Sequence, residues 1–257
     1  MVLPTRTEPV KIHHESIGHL CLWIAAGKRF SFAGFSDAEW YCIFGERHGE
    51  KTGFGQVLDR DYGKRLLDII RRRQADDRFI FAVPSCLYQL PSFCNGEIDW
   101  LLGRENIRME AFERDKITDD AAMNGRELHQ FVRMLRRVDQ TVMIGNGALR
   151  VMEEHLGLKK FIEVTSPNLH LEPGGIERAV AEAVDYGKPG VYLVSAGVSA
   201  AVIIDQLHDA VPRSWFIDMG SAWDAFAGIG GQREWRARLY ADPPELERWK
   251  RKVLYGR

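Results

Sequence analysis

The sequence predicts an α/β protein built on a mainly parallel sheet flanked by helices. Three observations carry this expectation. Between residues 140 and 220 short apolar runs alternate with segments of helical period, each run ends in small or polar residues, and the spacing suits crossovers rather than hairpins. The run 140–144 reads as a buried strand ending in Gly145-Asn146-Gly147, followed by a helix through Leu158. The run 161–165 is a second strand, ending in Ser166-Pro167-Asn168. Ile176, Val180 and Val184 then recur at helical spacing after Pro173-Gly174-Gly175. The run 191–194 is a third strand, ending in Ser195-Ala196-Gly197, with a helix over 198–211. The run 215–217 is a fourth, ending in Asp218-Met219-Gly220-Ser221. In an open parallel sheet ligands sit at the carboxyl ends of the strands, so this half reads as a Rossmann-like nucleotide-binding sheet.

The first half is also mixed. Residues 29–33 and 79–83 read as strands. Residues 62–73 form an amphipathic helix, and a helix begins near Trp40. Leu128, Phe131, Val132, Leu135 and Val138 make a helical stripe, and residues 244–255 a short charged helix packed across the domain. We expect a single domain over residues 1–257 with a C-terminal helical extension over about 232–257.

Composition narrows the functional classes. The chain has 257 residues, 45% hydrophobic and 28% charged, so it has ample core and an ordinary globular balance. Its net charge of -1 excludes binding nucleic acid through a global positive charge, though not through a local patch. No apolar run approaches the roughly 20 residues that span a bilayer. The segment before His13 lacks the apolar core of a signal peptide. Cys21, Cys42, Cys86 and Cys94 form no C-x-x-C pair and read as reduced thiols, so a cytoplasmic location is expected.

Several segments could carry chemistry. Asp37 and Glu39 follow a strand and open a helix. Two carboxylates at that spacing can converge on Mg²⁺ or Mn²⁺, or can simply serve the helix cap and its dipole. The turns at Gly145-Asn146-Gly147 and Ser195-Ala196-Gly197 offer backbone N–H groups for phosphate, or are tight turns that need glycine. Neither is a full G-x-G-x-x-G or Walker sequence. Asp218, beside Gly220 and Ser221, could orient a ribose, a metal ligand or an acceptor hydroxyl, or could cap a helix. His170 and Glu172 could be a base and its partner, or surface residues. His13, His14 and His19 lack partners at zinc spacing. The clusters Arg71-Arg72-Arg73, Arg133/Arg136/Arg137 and Lys250-Arg251-Lys252 read as solvated helix faces. The last, with Trp235 and Trp249 nearby in sequence, could instead hold an anionic acceptor, nucleic acid included. No G-x-S-x-G elbow is present.

Taken in order, these segments resemble the GT-D structural type of glycosyltransferases. That family has a Rossmann-like sheet and an early Arg-(Phe/Tyr)-(Gly/Ser)-Asp-Gly-Glu segment. Its D-x-E carboxylates hold a divalent metal under the diphosphate of a nucleotide sugar. The segment here is Gly34-Phe35-Ser36-Asp37-Ala38-Glu39. Gly34 stands where the family carries Arg, so that contact must come from Arg29 or another residue, and Ala38 replaces Gly. Ile144-Gly145-Asn146-Gly147 is similar to the family's central glycine turn, and Thr165-Ser166-Pro167-Asn168 to its following strand end. Val194-Ser195-Ala196-Gly197 is similar to its Leu-Gly-Pro-Thr-Ala type loop. Phe216-Ile217-Asp218-Met219-Gly220-Ser221 matches its Ile-Asp-Ile-Gly-His segment, with Ser221 in place of His.

The resemblance implies a metal-dependent, hexosyltransferase-like enzyme with a nucleoside-diphosphate sugar donor, UDP-linked, and a hydroxyl acceptor on a glycan, a polysaccharide or a modified DNA base. It assigns Mn²⁺ or Mg²⁺ to Asp37 and Glu39. Donor contacts fall to Phe35, Gly145, Asn146, Gly147, Ser166, Asn168, Ser195, Ala196, Gly197 and Gly220, and the acceptor hydroxyl to Asp218. A non-catalytic nucleotide-binding module on the same sheet is the alternative. Oligomeric state is not legible at this level.

Overall fold

The computed structural model describes residues 11–45, 47–52, 55–84, 97–105, 107, 110–229 and 234–257. Its strands are β1 (Lys11–His13), β2 (Ser31–Gly34), β3 (Phe79–Val83), β4 (Glu110–Glu113), β5 (Thr141–Gly145), β6 (Lys160–Glu163), β7 (Val191–Ser195) and β8 (Trp215–Asp218). They form one sheet in the order β1-β4-β3-β2-β8-β7-β5-β6. Every pair is parallel. All carboxyl ends therefore open on one edge. The six strands read from the sequence are present within two residues of the expected bounds, and β1 and β4 join them.

Alternation along the strands divides the core into two apolar layers. Ala33, Phe79, Phe81, Val142, Ile144, Tyr192, Val194 and Phe216 face one layer. Phe32, Ile80, Ala82, Met143, Leu193, Trp215 and Ile217 face the other. Each fully buried Phe or Ile contributes on the order of 1.5–3 kcal/mol relative to exposure. The first layer is closed by the helices Asp37–Phe44, Arg60–Arg73, Gly175–Tyr186 and Ala200–Ala210. Helices Asp37–Phe44 and Arg60–Arg73 meet at Gly63, where any β-carbon would overlap the Cys42 carbonyl. The second layer is closed by Ile17–Ala25, Arg126–Leu135 and the C-terminal Pro243–Tyr255.

The C-terminal helix packs across the domain as expected. Trp249 donates through Nε1 to the Ala122 carbonyl at 2.7 Å, and the His129 ring to the Val253 carbonyl at 2.9 Å. The helix expected through Leu158 is shorter and tighter: a 3₁₀ segment Gly147–Met152 leads into Glu153–Leu156. Cys21 and Cys42 are free thiols, while Cys86 and Cys94 lie outside the described residues. Among the described residues no helix is long and apolar enough to cross a membrane.

At the amino edge a polar network ties β2 to the helix Ala200–Ala210. Ser31 Oγ and His208 Nδ1 lie 2.7 Å apart, and His208 Nε2 lies 2.9 Å from Asp76 Oδ2. Arg73 lies alongside, bound to Asp205 and Asp209. The Ser–His–Asp order has the composition of a hydrolase triad. Ser31 is 1% exposed, however, and opens no path to a substrate, so the network serves structure.

Candidate functional site

Asp218 ends β8, beside the end of β2. Its Oδ2 accepts from Gly34 N at 3.2 Å and its Oδ1 from Gly220 N at 2.8 Å, bracketing the two strand ends together. The side chain is almost fully buried. Across from it stands Arg114, the residue after β4. Its Nη2 lies 3.5 Å from Asp218 Oδ2, and its Nη1 donates to Ser36 Oγ. Two glycines make the space: a β-carbon at Gly34 would overlap Asp218 Oδ2 and stand 2.9 Å from Arg114 Nε, and one at Gly220 (φ +50°) would overlap Arg114 Nη2. A side chain at position 34 is thus incompatible with this arrangement. The guanidinium comes from a strand two places away in the sheet. Arg29, the nearer candidate in sequence, instead lies over the Trp215 ring at 3.3 Å.

The helix Asp37–Phe44 begins in the same cluster, three residues ahead of the Trp40 start read from the sequence. Ser36 is its N-cap, and Glu39 reaches back so that Oε2 accepts from Ser36 N at 2.8 Å. Asp37, which could have been the N-cap, is the first helical residue and Ser36 the cap; Glu39 lies in the first turn, as that reading has it, and closes a capping box. Glu39 is 6% exposed, whereas Asp37 faces solvent at the mouth. Burial pushes the Glu39 carboxyl up to about 7. Arg114 opposes that rise, and Asp218 and Asp37 add to it. Glu39 and Asp218 thus face one guanidinium, and Asp37 adds its charge to Glu39 from the solvent side.

Among the described residues no three His, Cys, Asp or Glu side chains stand close enough to cage a metal ion. A hard divalent cation needs only one or two carboxylates when substrate phosphates complete its sphere. Hard carboxylate oxygens gathered with excess negative charge fit such an ion. Asp37 and Glu39 are the residues that would hold it.

Two strands along, a second feature opens at the ends of β5 and β6. A groove of about 620 Å³ is lined by Asn146, Gly147, Thr165, Ser166, Glu172 and Arg178. Asn146 shapes it: its Oδ1 accepts from Ala148 N at 2.9 Å, and its Nδ2 donates to the Ser166 carbonyl at 3.4 Å. Gly147 lets the Glu163 carboxylate lie close, 2.6 Å from where a β-carbon would stand. The ends of β8 and β5 are two strand spacings apart, about 10 Å. The loop at Ser195, Ala196 and Gly197 lies between them. Ser195 Oγ is buried there with no hydrogen-bond partner among the described residues. The turn itself is closed, since Gly197 (φ +59°) has Gln56 Nε2 and Pro167 O against its Cα, at 2.5 and 3.0 Å from a built β-carbon.

Three expectations need correction. Phe35 is fully buried, its ring edge-on to Phe81 at 5.5 Å, because it alternates into an apolar layer; its side chain cannot face a donor. Asn168 accepts from Val57 N at 2.8 Å and donates to the Gly55 carbonyl at 3.0 Å, so its amide tethers the segment 55–57. His170 is not a free base or a surface residue: its Nε2 donates to the Val57 carbonyl at 2.9 Å, and burial lowers its pKa. Arg114 is the residue that sequence reasoning missed. Nothing near Glu113-Arg114 signals a site.

The comparisons with known proteins agree with the fold. No family model and no curated protein matches the chain. Three solved structures do. One belongs to the domain of unknown function 1792, described as having a distinct glycosyltransferase fold; at 14% identity and TM-score 0.56 the match covers 84% of this chain and 81% of the other. A selenomethionine form of a domain of that kind matches with the same score and identity, over 89% and 82%. A new glycosyltransferase (DUF1792) from Streptococcus sanguinis matches at 14% identity and TM-score 0.55, over 84% of each chain. The chain has a GT-D type glycosyltransferase fold.

Proposed function

We propose that the protein is a glycosyltransferase that moves a sugar from a nucleoside diphosphate, UDP-linked, to a hydroxyl acceptor with Mn²⁺ or Mg²⁺ bound at Asp37 and Glu39. One observation carries the reading: Asp37, Glu39, Asp218 and Arg114 converge at the carboxyl edge of a parallel sheet of glycosyltransferase fold. The nucleoside lies in the β5/β6 groove on Asn146, Gly147 and Ser166. Its diphosphate passes the loop of Ser195, Ala196 and Gly197 toward the acidic cluster. When bound, the cation supplies Lewis-acid neutralisation of charge on the leaving diphosphate.

This chain's own residues do the positioning. Arg114 places a guanidinium beside that charge and replaces the family's Arg at the position held here by Gly34. Asp218, with both oxygens engaged, fixes Arg114 and the β2 turn and so orients the reaction centre. Burial favours the protonated form of Glu39, so a cation held there would have to displace that proton, and its binding would release protons.

A thermal-shift panel of UDP, GDP, TDP, CDP and ADP, each with and without Mn²⁺, tests the reading. At about 100 Kd of ligand the stabilisation is about 2.7 kcal/mol, or roughly 5–10 °C in a chain of this size. One nucleotide, UDP, should shift the wild type only with Mn²⁺, and Asp37→Ala/Glu39→Ala should abolish the shift. No shift with any nucleotide defeats the proposal. A metal-independent shift with no sugar release would favour a non-catalytic nucleotide-binding module.

A further inference from the structure

The described residues carry a second, strongly charged concavity that the donor site does not use. It is a groove of about 1150 Å³ between the helices Arg126–Leu135 and Pro243–Tyr255. We propose that this groove is a docking surface for single-stranded nucleic acid, an inference that stands independently of the sugar-transfer reading.

Charge segregation carries the argument. The chain as a whole is at -1. Elsewhere its basic clusters are neutralised: Arg71 binds Asp68 and Glu105, Arg72 binds Asp205, and Arg73 binds Asp205 and Asp209. In the groove Arg133, Arg251, Lys252 and Arg257 are exposed and have no acidic partner among the described residues. Only Arg248 is paired, with Glu245. Arg136 is held in place by the His155 and Leu254 carbonyls, at 2.8 and 2.9 Å. Among its described lining residues Glu245 is the one acid against six basic side chains; such an excess of like charge destabilises the free protein, and a polyanion relieves that repulsion.

The kind of polyanion follows from residue type and shape. Guanidinium forks outnumber the single lysine, and they match phosphate oxygens in pairs. Tyr255 lines the same groove and is 56% exposed, offering a ring on which an unpaired base can stack. A membrane surface would ask for a flat face with a row of apolar tips, whereas the groove is concave and Met123 and Tyr255 are its exposed large apolar residues.

Fluorescence anisotropy of a labelled dT20 strand from about 50 to 300 mM NaCl tests the proposal. Four phosphate contacts give a slope of log K on log salt of about -3, at about -0.7 per contact. Arg133→Gln/Arg251→Gln should halve the slope and weaken binding at about 50 mM salt roughly sixty-fold. Lys64→Gln, an exposed residue on another helix, should change neither. The thermal midpoint of each variant is read in parallel, and an unchanged midpoint shows that lost binding is not lost folding. No binding at about 50 mM salt overturns the proposal, as does equal binding by the double variant. Competition by polyglutamate as effective as by unlabelled dT20, or retention by anionic vesicles in the absence of dT20 binding, also overturns it.

Discussion

Replacing Glu39 with glutamine isolates the electrostatic tension of the acidic cluster. In the folded chain burial, Asp218 and Asp37 raise this carboxyl from its ordinary 4.5 to about 7 against the pull of Arg114. Between those two values the native state holds a proton that the unfolded chain has released. Wild-type stability therefore falls as pH rises from about 4.5 to about 7 and is level beyond. At about 1.4 kcal/mol per pH unit, the native state loses about 2.5 kcal/mol from this group between pH 5 and pH 8. Glutamine keeps an oxygen for Ser36 N and so preserves the helix cap, but it cannot ionise. The stability of Glu39→Gln relative to wild type should then rise by about 2.5 kcal/mol from pH 5 to pH 8. Metal-free urea or guanidinium unfolding of both proteins at the two pH values measures this. Any cost of burying the extra amide is the same at both values and cancels. A relative stability constant to within about 0.5 kcal/mol would refute the reasoning, because Glu39 would then titrate alike in both states.

Asp37→Ala removes an exposed side chain and should leave stability within about 0.5 kcal/mol while eliminating the Mn²⁺-dependent nucleotide shift, so melting curves with and without metal check both halves. Gly34→Ala forces a methyl onto Asp218 and Arg114 and should cost about 1–3 kcal/mol in denaturant unfolding. Arg114→Gln should lower kcat at saturating donor at least tenfold while Arg114→Lys recovers part of it, as steady-state kinetics would show. His208, whose pKa burial lowers below the usual 6.5, favours the neutral form in the fold; stability from this group is present above 6.5 and lost as pH falls through it. Acid unfolding of His208→Gln should accordingly show a shallower loss below pH 6.5 than wild type.

The half of the sheet from β5 to β8 was legible because β5, β7 and β8 are buried runs with a glycine turn after each, and β6 keeps a short apolar centre closed by Ser166-Pro167-Asn168. β1 and β4 were not. Lys11–His13 is three residues at the sheet edge, and Glu110–Glu113 carries an acid at each end, so neither shows a run or a period. The carboxyl edge was readable from strand polarity, and Asp37 and Glu39, singled out by their spacing and the resemblance, and Asp218 all fall on it. What failed was the orientation of single side chains. Phe35 belongs to a motif and still turns into the core, and Asn168 sits at a strand end and still turns to residues 55–57. Arg114 lay furthest from view, since its partner Asp218 is 104 positions away, |i−j| from Gly34 to that same Asp218 is 184, and only the order β4-β3-β2-β8 brings the groups together.

The place of β8 in the sheet has a consequence for biosynthesis. The last strand to leave the ribosome is the one that joins β2 to β7. Until residue 218 is made, β2 carries an open edge of small and aromatic residues, and the β1-β4-β3-β2 block has no partner along its seam. At about 5–20 residues per second that edge waits roughly 10–40 s on the nascent chain. A chain stopped before Trp215 should therefore self-associate through β2, whereas one that extends beyond Asp218 can close the sheet. Light scattering of two such truncations would distinguish them, and equal solubility would argue that the seam is protected by other means during synthesis.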